Sequence, residues 1–285
     1  VMTELPLVVL NIQRGGPSTG LPTKSEQTDL LAAMYGRHGE APVPVLAAAT
    51  PGDCFYMVLE AFRLALKYMT PVIVLSDGGL ANASEPWRIP DENQLPDLKP
   101  DFHTEQENFS PYQRNQQTLA RNWAIPGTPG LEHRLGGLEK DSITGEISYD
   151  PENHERMVLL RDEKIKRIKN DLPPLEIIGP EKNELLVVSW GSVYGPAFSA
   201  IEELQEQGHP VSMVHLRHLY PFQKNLAGIL INFDKVLVPE MNLGQLSLLL
   251  RAEFLVDTIP FPKLQGRPFL ISEIRSRILD LLGDK

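Results

Sequence analysis

Arg14 closes the apolar, β-branched run "VVLNIQ", and the loop "GGPSTGLPT" follows it at once. A guanidinium is a planar fork of donors that matches a carboxylate and keeps its charge at every physiological pH. Glycines in the loop let backbone approach a small ligand closely. In open α/β sheets ligands bind beyond the carboxyl ends of the strands, which is where Arg14 falls. Two readings stay open for it: recognition of a small anion, or an ion pair at a domain edge. Thr23 has a similar pair of readings. "TKSE" spells a Thr-x-x-Glu capping box, with Glu26 reaching back to a helix start, and a helix start also attracts anions.

Other candidates carry weaker signals. "WGSVYGP" (Trp190 to Pro196) joins a strand to a helix like a phosphate-binding turn, yet it has neither the P-loop lysine nor a full Gly-x-Gly-x-x-Gly. His215 and His218 flank Arg217 without further metal ligands at helical spacing, which does not make a metal centre. His133 and Arg134 lie in a Gly-rich loop suited either to substrate contact or to a plain surface role. Ser76 and Asp77 lack the surroundings of a nucleophile elbow.

The composition narrows the function classes. A formal net charge of -10 opposes nucleic acid as a partner, because phosphate binding needs clustered Lys and Arg. The basic stretch Arg161 to Lys169 is interleaved with acids and reads as a solvated helix face. Cys54 is the only cysteine, so an internal disulfide and a Cys-rich metal or iron–sulfur site are ruled out. No apolar run approaches the roughly 20 residues of a membrane helix, and no signal peptide opens the chain, so the expected location is cytoplasmic, with no membrane partner. The chain starts at Val1 and reaches a strand within a few residues, as a piece of a longer subunit would.

The elements that must position Arg14 follow from hydrophobic periodicity. "PLVVLNI", "PVPVLAAA" and "PVIVLSD" read as buried strands. "KSEQTDLLAAMYGR" and "GDCFYMVLEAFRLALKYM" read as helices, the second with Asp53 as N-cap and Cys54, Val58, Ala61 and Ala65 on its apolar stripe. Continuous apolar strands alternating with helices imply a parallel sheet covered on both faces. A Pro-, Gly- and Asn-rich middle follows, with a helix late in it over "NHERMVLLRDEKIKRIKNDL". The alternation then resumes through the strands "ELLVVSW", "VSMVHL" and "DKVLVPEM", with "RHLYPF" as a loop and "GSVYGPAFSAIEELQEQG", "GQLSLLLRAEFL" and "SEIRSRILDLL" as helices. The expected division is 1–95, 96–179 as an extended Pro/Gly-rich connection, and 180–285.

"NIQRGGPSTGLPTKSEQTDLLAAMYGRHGE", "PVIVLSDGGLANASEPWRIPD" and "GLEHRLGG" with "DPENHERMVLLRDEKI" together resemble the alpha subunit of the 2-oxoacid:ferredoxin oxidoreductases, most nearly the 2-oxoglutarate type. The resemblance runs over essentially the whole chain. It implies an α/β fold in which the C-terminal part of a pyrimidine-binding thiamine diphosphate-type parallel sheet domain precedes a transketolase C-terminal-like α/β domain. It also implies thiamine diphosphate chemistry: oxidative decarboxylation of 2-oxoglutarate with coenzyme A, giving succinyl-CoA, CO2 and reduced ferredoxin. In this family the residues matching Arg14 and Thr23 are associated with the 2-oxoacid substrate. Thiamine diphosphate with Mg and a [4Fe-4S] cluster are expected in the complete enzyme, held mainly by segments N-terminal to Val1 or by the beta subunit, and none by this chain alone. The partners implied are that beta subunit, the remaining N-terminal alpha-subunit segment, coenzyme A and ferredoxin. The competing readings are pyruvate or branched-chain 2-oxoacids as substrate, and a noncatalytic assembly module.

Overall fold

The computed structural model describes residues 1–283 of the chain. Its first sheet takes the parallel strands β1 (Leu7–Gln13), β2 (Val45–Ala47) and β3 (Pro71–Asp77), with β3 in the middle. The helices α1 (Leu30–Tyr35) and α2 (Pro51–Tyr68) connect them. The second sheet is built from β4 (Asn183–Trp190), β5 (Val211–Leu216), β7 (Phe233–Glu240) and β8 (Thr258–Pro262), all parallel in the order β5-β4-β7-β8. Around it run α5 (Tyr194–Glu206), α6 (Leu226–Leu230), α7 (Gln245–Phe254) and α8 (Ile271–Leu282). The α/β class and the parallel sheets expected from periodicity are therefore present. Leu185 to Val188 of β4 are fully buried, as a strand covered on both faces must be.

Several local expectations give way to longer-range contacts. "RHLYPF" contains the strand β6 (His218–Tyr220), which pairs antiparallel with β2 through Val45↔Tyr220 and Leu46↔His218. The C-terminal half thus lends a strand to the first sheet. One hydrophobic core accordingly runs from Leu30, Val45 and Leu75 to Val188, Val214 and Leu246. The strand β8 carries two prolines and lies on a sheet edge, where a missing N–H is tolerated, so its sequence signal was weak. α2 starts at an N-cap Thr50, whose hydroxyl accepts from the Asp53 N–H at 3.1 Å, while Asp53 lies one turn in and accepts from Ala49 N–H at 2.9 Å. Asp53 is thus the residue the cap bonds rather than the cap itself, and its carboxylate holds the residue before the cap.

The middle segment has little regular structure beyond α3 (Gly78–Asn82) and α4 (Pro151–Arg167). A buried charge cluster pins it. Lys164 of α4 lies 2.5 Å from Glu4, and Arg114 of the middle segment lies 2.6 Å from the same carboxylate. Burial alone would raise the Glu4 pKa, but Lys164 and Arg114 outweigh it and hold it at about 2. The basic stretch of α4 is therefore not wholly solvated: Lys164 is 2% exposed.

β1 departs from the pattern of a covered sheet. It is an edge strand, and Leu7 and Val9 on one face and Leu10 and Ile12 on the other are 41–56% exposed.

Candidate functional site at the carboxyl edge of the first sheet

Arg14 directly follows β1, and β1 runs in register with β3 from Leu7↔Pro71 to Gln13↔Asp77. The loop after it closes on itself. Gly15 N–H donates to Lys24 carbonyl at 3.0 Å, Leu21 N–H donates to Gly15 carbonyl at 2.9 Å, and Gly16 N–H donates to the Glu26 carboxylate at 3.4 Å. Gly20 has φ +49°, and a Cβ there would overlap the Gly15 carbonyl, so the turn needs glycine at this position.

Thr23 does not cap a helix. α1 begins at Leu30, Glu26 accepts from Gly16, and Thr23 has φ +64°. The expected helix start over Lys24–Asp29 is absent because Ser25 N–H and Gln27 N–H donate to Gly266 and Met241 carbonyls instead of closing turns. Ser18 is also left-handed, at φ +58°. Non-glycine residues in that region cost on the order of 1–3 kcal/mol each and persist where surrounding structure over-determines them, commonly at ligand sites. Both candidate residues lie next to the Gly15–Lys24 bond, and both are exposed. Arg14 makes no ion pair among the described residues, so the domain-edge pair is not formed and its guanidinium is free for an incoming anion.

Behind this loop stands a buried polar junction. Ser25 Oγ donates to Asp77 Oδ1 at 3.0 Å and accepts from Gly79 N–H at 3.0 Å. Asp77 also caps α3 and accepts from Ser192 N–H at 3.2 Å. Gln27, fully buried, donates from Nε2 to Trp190 carbonyl at 2.9 Å and accepts at Oε1 from Met241 N–H at 3.0 Å. Nothing in the local pattern singled Gln27 out. The available signal was Gly191 in "WGSVYGP": its φ is +60°, and a Cβ there would run into the Gln27 amide. That glycine makes room for Gln27.

The remaining candidates are spread elsewhere. His215 Nδ1 contacts Ser189 Oγ at 2.8 Å, and burial first, then Arg217, lowers its pKa to about 3. His218 faces Glu60 and Gln223 instead, and Arg217 pairs with Asp53. His133 packs on Phe109 with Nδ1 at 2.8 Å from Leu131 carbonyl, and Arg134 is exposed. No group of three or more His, Cys, Asp or Glu among the described residues could hold a metal ion. Among the described residues no helix is long and apolar enough to cross a membrane.

Comparison with known proteins adds to this geometry. Residues 1–148 match the family described as pyruvate flavodoxin/ferredoxin oxidoreductase, thiamine diphosphate-binding, and residues 183–256 match pyruvate:ferredoxin oxidoreductase core domain II. The 2-oxoglutarate oxidoreductase subunit KorA of Mycobacterium tuberculosis is 55% identical over 96% of this chain and 42% of its own length. The alpha subunit of 2-oxoacid:ferredoxin oxidoreductase 1 of Aeropyrum pernix is 33% identical over 98% of this chain and 45% of its own. A solved structure of 2-oxoglutarate:ferredoxin oxidoreductase from Magnetococcus marinus, with 2-oxoglutarate, coenzyme A and succinyl-CoA bound, superposes with a TM-score of 0.93. It is 35% identical and covers 98% of this chain and 49% of that one. The chain thus spans less than half the length of these relatives. By sequence and by fold, it belongs to the pyruvate flavodoxin/ferredoxin oxidoreductase family, including that family's thiamine diphosphate-binding domain.

Proposed function

We propose that this chain is the oxoacid-recognising part of the alpha subunit of a 2-oxoglutarate:ferredoxin oxidoreductase. The reaction converts 2-oxoglutarate and coenzyme A to succinyl-CoA and CO2, with electrons passing to ferredoxin. One observation carries the reading: Arg14, without an ion pair among the described residues, and a left-handed Thr23 share a closed loop at the carboxyl edge of a parallel sheet. The similarity to proteins named for 2-oxoglutarate supports that substrate over pyruvate or a branched-chain oxoacid.

Arg14 orients the oxoacid through a carboxylate. A strong clamp on the departing carboxylate would stabilise the charged ground state and oppose its loss. The distal carboxylate of 2-oxoglutarate never reacts, so gripping it positions the substrate at no cost to turnover. Thr23 offers a hydroxyl beside it. Thiamine diphosphate, when bound, supplies the electron sink for decarboxylation. The described residues do not fit its magnesium-diphosphate end, having no metal-binding group of side chains, and one cysteine cannot supply the four thiolates of a [4Fe-4S] cluster. We assign both to the N-terminal alpha-subunit segment and the beta subunit.

The open edge and exposed apolar faces of β1 support a strand of that N-terminal segment as its neighbour, because a parallel sheet is buried on both sides. The proposed division remains 1–95, 96–179 and 180–285, in a cytoplasmic complex. The test is viologen reduction with coenzyme A by the complex that co-purifies with this chain, comparing 2-oxoglutarate, pyruvate and a branched-chain oxoacid. Activity confined to 2-oxoglutarate is expected; a complex with intact cofactors that turns over none of them refutes the catalytic reading and leaves an assembly module.

A further inference from the structure

We infer that Gln27 is a positioning residue for the oxoacid, through which the C-terminal half of the chain sets the Arg14–Lys24 loop. The inference rests on the reading of that loop as the substrate contact. It begins from an asymmetry in how the loop is held. The incoming stem belongs to the first sheet: Gln13 Nε2 donates to Ser76 carbonyl at 3.1 Å, and Gln13 Oε1 accepts from Asp29 N–H at 3.0 Å. The outgoing stem is the one joined to both halves: Ser25 Oγ donates to Asp77 of β3 at 3.0 Å, while Ser25 N–H donates to Gly266 carbonyl at 3.2 Å and Gln27 N–H to Met241 carbonyl at 3.0 Å. A loop closed on itself by its own bonds moves as a body, so its two stems decide where Arg14 and Thr23 point.

Gln27 is the node of the outgoing stem. Its amide bridges the carboxyl ends of β4 and β7, donating to Trp190 carbonyl and accepting from Met241 N–H, while Asn242 Nδ2 donates to the Gln27 carbonyl at 2.7 Å. Two of these partners, Trp190 and Asn242, are themselves held by the fully buried Glu240, which accepts from Asn242 Nδ2 at 3.0 Å and from the Trp190 indole N–H at 3.4 Å. A primary amide donates from its nitrogen and accepts at its oxygen, so one side chain meets both partners. Glutamate keeps the bond from Met241 and sets an acceptor against Trp190 carbonyl; methionine keeps the shape and loses both bonds. Being fully buried, Gln27 does not touch substrate. Its effect on the substrate passes through the loop.

The second contact comes from the far end of the chain. Gly266, with φ +65°, lies against the loop so closely that an added Cβ would sit 3.1 Å from Lys24 Cβ and 3.3 Å from Leu21 Cδ1. Gly266→Ala therefore presses on the loop from a residue some 240 positions away, without altering the loop itself.

The experiment uses the complete complex, reconstituted with Gln27→Met, Gln27→Glu, Gly266→Ala and Arg14→Ala in turn. Viologen reduction gives KM for 2-oxoglutarate and kcat, and size-exclusion chromatography reports assembly. The expected result is a KM raised about tenfold or more by Gln27→Met and Gln27→Glu, and severalfold by Gly266→Ala, with kcat within about threefold and assembly intact. If Gln27 variants fail to assemble, Gly266→Ala alone decides: a raised KM supports the inference. An unchanged KM in every variant that assembles, with Arg14→Ala impaired, overturns it while leaving the substrate reading in place. An Arg14→Ala complex with unaltered KM and kcat overturns the substrate reading, and the positioning role with it.

Discussion

Glu4 and Lys164, 160 residues apart in the chain, meet 2.5 Å apart in a fully buried ion pair. Glu4 precedes β1, Lys164 sits on α4, and Arg114 of the intervening segment completes the cluster. The pair closes the long middle segment back onto the sheet. Removing Glu4 strands both buried cations, so Glu4→Gln should destabilise the chain by about 3 kcal/mol, and Lys164→Met, which leaves Glu4 paired with Arg114, by less. Adding Glu4→Gln to that variant should cost less than the sum of the two single changes, because both remove the same contact. Urea unfolding of the two single variants and the double variant measures this, and additive losses would contradict the coupling.

The same cluster sets an acid limit. Glu4 has a folded pKa of about 2, below its ordinary 4.5. A depressed carboxylate contributes stability that is full above the unfolded value and is lost as pH falls through the folded one. Stability should therefore decline from about pH 4.5 towards pH 2, and Glu4→Gln should flatten that decline. Thermal melts at stepped pH follow it; an identical acid slope in the variant would place the loss elsewhere.

Arg14→Ala removes a charged donor from the proposed substrate contact, a loss of about 1.5–3 kcal/mol or roughly 10- to 100-fold in kcat/KM. Arg14→Lys keeps the charge and loses the fork, so it should fall between wild type and alanine. Steady-state kinetics on the assembled complex check the ranking.

Thr23 pays for its left-handed backbone, at φ +64°. Thr23→Gly should relieve that strain and raise stability by about 1 kcal/mol, while lowering kcat/KM by removing the hydroxyl. A gain in melting temperature together with a loss of activity is the expected signature. A loss of both would mean that the threonine side chain holds the loop itself.

β1 presents an unpaired edge with apolar residues on both faces. The chain expressed by itself should self-associate through it, and Leu10→Lys with Ile12→Lys should return it to monomer. Sedimentation velocity distinguishes the two. In the full subunit the same double change should weaken docking of the N-terminal segment, read as protease sensitivity around β1.

What the sequence by itself determined was local. Continuous apolar runs named β1, β3 and β4, helical period named α2 and α5, and an arginine before a Gly-rich turn marked the candidate site, since each signal is carried by residues within a few positions of one another. Only the tertiary structure decided the rest. It made β6 a strand by pairing it with β2, turned Lys164 inward to Glu4, and withdrew Thr23 from helix capping by bonding the residues after it elsewhere. It also exposed Gln27, whose side chain bonds to Trp190 and Met241 lie 163 and 214 residues away. A polar side chain is placed by the partner that satisfies it when buried, and in this chain those partners belong to the opposite half of the molecule.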